Sequence, residues 1–233
     1  MRFKIALLIL FSNSLSSIAQ SNIRPPEKFI SEFEFFVGPN LSSLRGNLEV
    51  DNNNQNERKI KIGYTLGISL SHKLGKTFEI KSGLIFEKKG GKSHSTTTYF
   101  DEIDQAFKQG TIEFNYDYKY FTIPIQLCYL FGKQDQYSCG IGPYLSYLNK
   151  QTLKRTPFFN SPPELTEETD RNTKLDFGIT ASMAFKIPIN SKISISCQVL
   201  NTLGILNIRP ELYEGQTMKT NNTSFLIGLI TKR

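Results

Sequence analysis

Hydrophobic and polar residues alternate with a period of two along most of this chain, the signature of half-buried strands. From Lys174 to Ile187 the odd positions are Leu175, Phe177, Ile179, Ala181, Met183, Phe185 and Ile187, while the even ones are Lys174, Asp176, Gly178, Thr180, Ser182, Ala184 and Lys186. One face is apolar and the other small or charged, a division that a helix would scramble. Seven further segments share the habit. Phe33, Phe35, Val37, Pro39 and Leu41 alternate with Glu32, Glu34, Phe36, Gly38 and Asn40. Ile62 to Leu70, Phe78 to Phe86, Phe121 to Phe131, Gln136 to Leu148 and Ile193 to Val199 follow, and Thr223 to Thr231 is apolar on both faces.

The connections between these eight segments alternate in length. Tight turns are expected around Gly75-Lys76, Gly132 to Asp135 and Pro188 to Ser191. Long polar loops are expected at about Arg45 to Lys59, Lys89 to Asp117, Lys150 to Asn172 and Gly204 to Asn221. An even strand count with short turns on one side and long loops on the other is the arrangement of a bacterial outer-membrane barrel. The reading is therefore all-β: an eight-stranded antiparallel up-and-down transmembrane β-barrel with short periplasmic turns and four long outer loops. Segments of about nine to fourteen residues suit this, since a tilted strand needs ~9–11 to cross the hydrocarbon.

Alternation alone does not say which face meets lipid. A soluble lipocalin-like carrier turns its apolar face inward, whereas a membrane barrel turns it outward. Residue size favours the membrane. The polar face carries Gly63, Gly67, Ser69, Gly83, Thr180, Ser182, Ser194 and Ser196, which suit a narrow interior. Bulky Phe, Leu and Ile fill the other face. Glu32, Glu34, Lys61, Glu79, Lys81, Glu87, Lys174, Asp176 and Lys186 are then expected to pair inside, because an unpaired buried ion costs several kcal/mol. Such an interior leaves no wide channel.

The N-terminus adds a compartment. Arg2 and Lys4 precede the apolar run Ile5 to Phe11, and Ser17-Ile18-Ala19 forms a small-x-small site. This is the form of a secretory signal, so residues 1–19 are expected to be removed and residues 20–233 to form the barrel domain. Cleavage takes 28 basic and 21 acidic residues to 26 and 21, a net charge of +5. A basic surface could favour lipopolysaccharide phosphates, so outer-membrane lipid and lipopolysaccharide are the expected surroundings. An envelope protein partner is compatible but unidentified, and nothing resembles a nucleic-acid module.

His72 and His94 are the two histidines, each beside serine, and a lipid-modifying barrel enzyme would need one of them to activate a Ser with help from an acid. Adjacency in sequence does not supply that geometry, so no catalytic residue is assigned and no enzyme is expected. Metal-ligand spacings and phosphate-cradling glycine loops are missing, so no metal or cofactor site is assigned. Glu164, Glu167, Glu168 and Asp170 read as a solvated loop. Cys128, Cys139 and Cys197 read as small apolar strand residues. The first two flank one turn: pairing of Phe131 with Gln136 would set them opposite one another, whereas the side-chain pattern puts them on opposite faces and requires a turn one residue shorter or longer.

Three stretches carry a family resemblance. YKYFTIPIQLCYLF, Tyr118 to Phe131, resembles the aromatic-x-x-Ile-Pro-x-x-Leu strand of the PorT-like outer-membrane β-barrels of Bacteroidetes-type bacteria. CGIGPYLSYL, Cys139 to Leu148, is similar to the family's Gly-x-Gly-Pro-Tyr strand, and LDFGIT, Leu175 to Thr180, to its Asp-x-Gly opening. The resemblance implies an outer-membrane location and, for some members, a part in protein secretion. Pro124 and Pro143 lack a ladder donor and are expected to mark bulges. The chain departs from the pattern at Ile230-Thr231-Lys232-Arg233, where such barrels commonly end in an aromatic residue. Together these features suggest a small integral outer-membrane binding or scaffold protein.

Overall fold

The computed structural model describes residues 31–46, 57–101, 105–157, 162–209 and 217–232. The expected signal sequence, residues 1–19, lies outside them. From Ser31 onward the described residues form ten strands in one antiparallel sheet: β1 (Ser31–Arg45), β2 (Glu57–Lys59), β3 (Lys61–Leu74), β4 (Phe78–Asp101), β5 (Ala106–Phe131), β6 (Tyr137–Thr156), β7 (Glu164–Glu167), β8 (Leu175–Pro188), β9 (Ile193–Gly204) and β10 (Lys219–Lys232). Among the described residues no helix is long and apolar enough to cross a membrane.

The strands follow the alternation. Along β5 and β8 every second residue is buried through the apolar stretch, and the exposed residues are the large ones. Each of the eight long strands pairs on both sides. Consecutive long strands pair with each other, and β10 also pairs with β1, with Phe33 opposite Thr231 and Leu41 opposite Thr223. The tight turns lie where expected. At Gly75 the backbone takes a positive φ of 75°. After Asn190 the side-chain Oδ1 accepts from the amides of Lys192 (2.9 Å) and Ile193 (2.8 Å), closing the β8–β9 turn.

Several expectations are corrected. Most of Lys89 to Asp117 is not a loop: β4 and β5 continue through it as an unbroken antiparallel ladder, from Lys89 opposite Tyr118 to Asp101 opposite Ala106. Its two mostly polar faces erase the alternation, which predicts a loop, but not the backbone pairing. Likewise β6 runs on to Thr156, and the two short extra strands lie in the expected loops, β7 pairing with β6 and β2 with β4. These parts make a second region of sheet, ordered β2-β4-β5-β6-β7, beyond the apolar zone.

The prolines do not bulge. Pro124 lies where the β4–β5 pairing skips from Ser82–Ile125 to Ile85–Thr122, and Pro143 where β5–β6 skips from Pro124–Tyr144 to Leu127–Ile141. Register is the same on both sides of each gap. A missing N–H removes ladder bonds on one side of its strand, which opens the ladder without inserting a residue. The register shift lies instead between Lys119 and Tyr120, which pair with Lys150 and Leu148 and leave Asn149 over as a bulge.

Candidate functional site

The layering is inverted relative to a water-soluble domain. Phe177 and Ile179 are 42% and 44% exposed, whereas Asp176 and Thr180 are fully buried. On β5, Phe121, Ile123, Ile125, Leu127 and Tyr129 are exposed, while Thr122, Gln126 and Cys128 are buried. The last strand, which carried apolar residues on both faces, buries Asn222, Ser224, Leu226 and Ile230 and exposes Phe225, Ile227 and Leu229.

Aromatic rings border the exposed apolar zone at both ends. Toward the tight turns, Phe78, Tyr129, Phe131, Tyr137 and Phe185 form a chain of rings with successive centroids 5.1 to 5.9 Å apart. Toward the long hairpin, Tyr64 packs on Phe86 (6.1 Å) and Phe86 on Phe121 (5.3 Å). Phe121 and Tyr129 stand eight residues apart on β5. At ~3.3 Å per residue that is about 26 Å of strand. With a tilt of ~40° the height is about 20 Å, close to the ~25 Å apolar band of outer-membrane barrels.

The buried charges fall into two groups. Near the tight turns, Lys81 Nζ lies 2.6 Å from Glu34 Oε2 and donates to Gln198 Oε1 at 3.1 Å. Glu34 also accepts from Ser69 (3.1 Å) and Ser196. Lys186 joins Glu32 (2.7 Å) and Glu79 (3.7 Å), and Lys232 approaches Glu32 from the rim at 3.6 Å. Three carboxylates thus face three ammonium groups.

The second group lies near the upper rings. Lys89, 1% exposed, sits 3.4 Å from Glu87 Oε2 and 3.5 Å from Asp176 Oδ2, with its Nζ 4.5 Å from the Tyr120 ring centroid and 5.5 Å from that of Tyr144. Glu87 accepts from Thr122 and Asn222, both at 3.1 Å. Asp176 Oδ2 accepts from Thr220 (2.7 Å) and Tyr144 (3.3 Å). Here two carboxylates share one ammonium.

Between the groups, Phe36, Ile85, Leu200 and Leu226 form a buried apolar plug. Phe36 stands opposite Gly67 on one side and Gly228 on the other. A Cβ at Gly67 would lie 2.8 Å from the Phe36 ring, so the ring fits because that glycine is bare. Above the second group, Tyr118, Tyr120, Leu148, Ile208 and Met218 form another apolar cluster, which covers Lys89 from the hairpin side.

Of the charged residues expected inside, Glu32, Glu34, Lys61, Glu79, Glu87 and Asp176 are buried, and Lys81 and Lys186 are nearly so. Lys174 is the exception. It sits at the rim, where Asp170 (3.0 Å) raises its pKa through their hydrogen bond. The central member of the second group, Lys89, lies on β4 and not at the start of a loop as the polar run from Lys89 predicts. Its position one parity step after Glu87 on β4 was the available signal. The acidic stretch is paired rather than convergent: Glu167 meets Lys150 (2.7 Å), and Glu168 meets Arg171 and Arg209, both at 3.3 Å. Lys150, hydrogen-bonded to Glu167, holds that carboxyl below the usual glutamate range.

The histidines are not brought together. His72 pairs with Ile80 near the tight turns, while His94 lies beyond the upper rings, 3.7 Å from Glu113. Ser93 and Ser95 alternate to the other face of β4 from His94. Among the described residues no three His, Cys, Asp or Glu side chains converge as a metal site would need. All three cysteines are free. Tyr129 pairs with Cys139 and Cys128 with Gly140, so the two cysteines lie on opposite faces, as the side-chain pattern required.

The family model for the outer membrane protein beta-barrel domain matches residues 19–208. Among solved structures, OprG from Pseudomonas aeruginosa is similar at 12% identity and TM-score 0.43, covering 87% of this chain and 96% of that one. Neisserial surface protein A is similar at 9% identity and TM-score 0.39 (86% and 97% covered). The outer membrane protease OmpT from Escherichia coli has 9% identity and TM-score 0.40 (91% and 99% covered). No curated protein sequence matches the chain.

Proposed function

The chain belongs to the outer membrane protein beta-barrel domain family, and from that premise we propose that it is an eight-stranded closed barrel with a sealed interior that serves at the cell surface as a binding or scaffold component. It resides in the outer membrane. The pairing of β10 with β1, together with that of β4 with β5, supports closure of the eight long strands. The Tyr118–Phe131, Cys139–Leu148 and Leu175–Thr180 motifs support a place in the PorT-like branch, where a part in secretion or envelope assembly would suit a scaffold.

The observation that carries the reading is the filled interior. Two layers of paired charges are separated by the buried apolar side chains Phe36, Ile85, Leu200 and Leu226, a level that offers water no polar partner. Eight strands enclose little more than their own side chains. Binding then falls to the outer wall and to the β2-β4-β5-β6-β7 sheet beyond the membrane. A lipid-modifying enzyme is disfavoured because Ser93 and Ser95 alternate to the other face of β4 from His94, which approaches Glu113, and a soluble carrier by the exposure of Phe177 and Ile179. The test is electrical. Purified protein inserted into planar bilayers is expected to pass no steady current at 100 mV, and stable unitary channels would overturn the sealed-barrel reading.

A further inference from the structure

A row of lysines crosses three strands just above the upper aromatic rings. Lys88 on β4 is directly opposite Lys119 on β5, which is directly opposite Lys150 on β6. One outward-facing step below, Phe86, Phe121 and Tyr147 stand opposite one another in the same order. Below those come Leu84, Ile123 and Leu145, each nearly half exposed. The surface thus passes in two steps from aliphatic to aromatic to cationic.

The bulge at Asn149 makes the row. Had register continued unchanged, Lys119 would face Asn149, and Lys150 would alternate to the other side of β6. The extra residue turns Lys150 into line, the re-aiming that a bulge performs at the border of a sheet. Like charges directly opposite one another destabilise a sheet. The carboxylates nearby relieve this only at the flanks. Asp117 is shared by Lys61 (2.8 Å) and Lys88 (3.2 Å), and Glu167 takes Lys150 (2.7 Å). Lys119, the middle member, has no carboxylate within ion-pair distance among the described residues.

We propose that the Lys88–Lys119–Lys150 row binds the phosphate of an acidic membrane lipid, whose chains lie along Phe86, Phe121 and Tyr147. The inference rests on the reading that these strands span the outer membrane. The occupant is a lipid rather than a free anion because the row is continuous with the apolar wall. A phosphate at the ammonium level brings the lipid's chains down along the rings and on to Ile123 and Leu145. The unmatched cation at Lys119 supplies the charge complementarity.

The experiment is a native mass-spectrometric titration of the full chain, released from phosphatidylcholine-containing micelles, with dioleoyl phosphatidic acid as probe. Expected is preferential retention of phosphatidic acid over dioleoyl phosphatidylcholine. Lys119→Gln is expected to weaken the first binding step about five-fold, the effect of one lysine near a charged lipid surface. Lys119→Arg should retain it, and Lys133→Gln, at the turn on the other end, should leave it unchanged. The proposal is overturned if Lys119→Gln binds as wild type does, if both lipids are retained equally, or if millimolar glycerol 3-phosphate displaces the lipid, which would reveal a free-phosphate site. Protease protection in vesicles tests insertion separately. A chain that inserts without selecting phosphatidic acid removes this inference and leaves the barrel reading standing; one that fails to insert overturns both.

Discussion

Replacing Lys89 by Met should cost far more stability than replacing Asp176 by Asn, although both residues belong to one buried cluster. Lys89 is the single ammonium between Glu87 at 3.4 Å and Asp176 at 3.5 Å. At an effective dielectric of ~20, each contact carries about 5 kcal/mol of gross attraction, most of it offset by the desolvation of the ions. Its removal leaves two fully buried carboxylates with no cation beside them. Breaking a buried pair in this way costs ~3–5 kcal/mol. Asp176→Asn instead removes one of the two negative charges and leaves Lys89 with Glu87. The amide oxygen can still accept from Thr220 and Tyr144. Asp176 Oδ1 has no hydrogen-bond partner among the described residues, so an amide nitrogen placed there breaks no bond. Its expected cost is under ~1.5 kcal/mol, the net worth of about one ordinary hydrogen bond. The assay is reversible urea unfolding in lipid vesicles, followed by circular dichroism and by the heat-dependent gel shift of folded barrels. The double variant should recover part of the Lys89→Met loss, since one carboxylate rather than two is then left without a cation. If Asp176→Asn cost as much as Lys89→Met, the shared-ammonium account would be wrong.

Other outcomes follow from local geometry. A thiol titration of denatured, unreduced protein should find three free thiols; a mapped Cys128–Cys139 bridge would contradict the pairing of Tyr129 with Cys139. Gly142→Ala should destabilise by ~1–3 kcal/mol, as overpacking does, because its Cβ would stand 1.9 Å from the Ile125 carbonyl oxygen, where neither backbone can give way; unfolding at wild-type urea concentrations would refute this. Carboxyl-carbon NMR should find Glu167 titrating below the ordinary value of 4.5. Since the folded pKa is the lower one, the Lys150–Glu167 contribution is complete above the ordinary value and is lost as pH falls through the lowered one. Lys150→Gln should return the midpoint toward 4.5, and an unmoved midpoint would exclude Lys150 as the cause.

The transmembrane part of the fold was legible because lipid on one side and a packed polar interior on the other impose opposite chemistry on alternate residues. Asp176 and Phe177 could therefore be assigned to faces before any pairing was known. Where β4 and β5 leave the rings, water lies outside and the same rule no longer sorts side chains, so Lys92 to Thr96 looked like loop. The charged interior was legible as a set but not as pairs. Glu32 finds Lys186, and Lys89 finds Asp176, across strands far apart in sequence. Those partnerships depend on the stagger of the whole sheet, which no local pattern encodes. The prolines misled for a related reason: a missing donor can be absorbed by opening one side of the ladder as well as by inserting a residue.

The unbroken β4–β5 ladder has a consequence for how far from the bilayer a ligand would be held. From Lys89 to Asp101 the register with β5 never shifts, and at ~3.3 Å per residue the hairpin adds about 40 Å of strand beyond the rings. Phe100 and Phe107 meet edge-on at its tip, 5.3 Å apart and exposed. A partner gripping those rings would be held away from the lipid by an arm whose root is widened by β2, β6 and β7 and whose last stretch, from Ser95 to Asp101, is two-stranded. Its pull would pass along continuous backbone hydrogen bonds into the wall that carries Lys89, Glu87 and Tyr120.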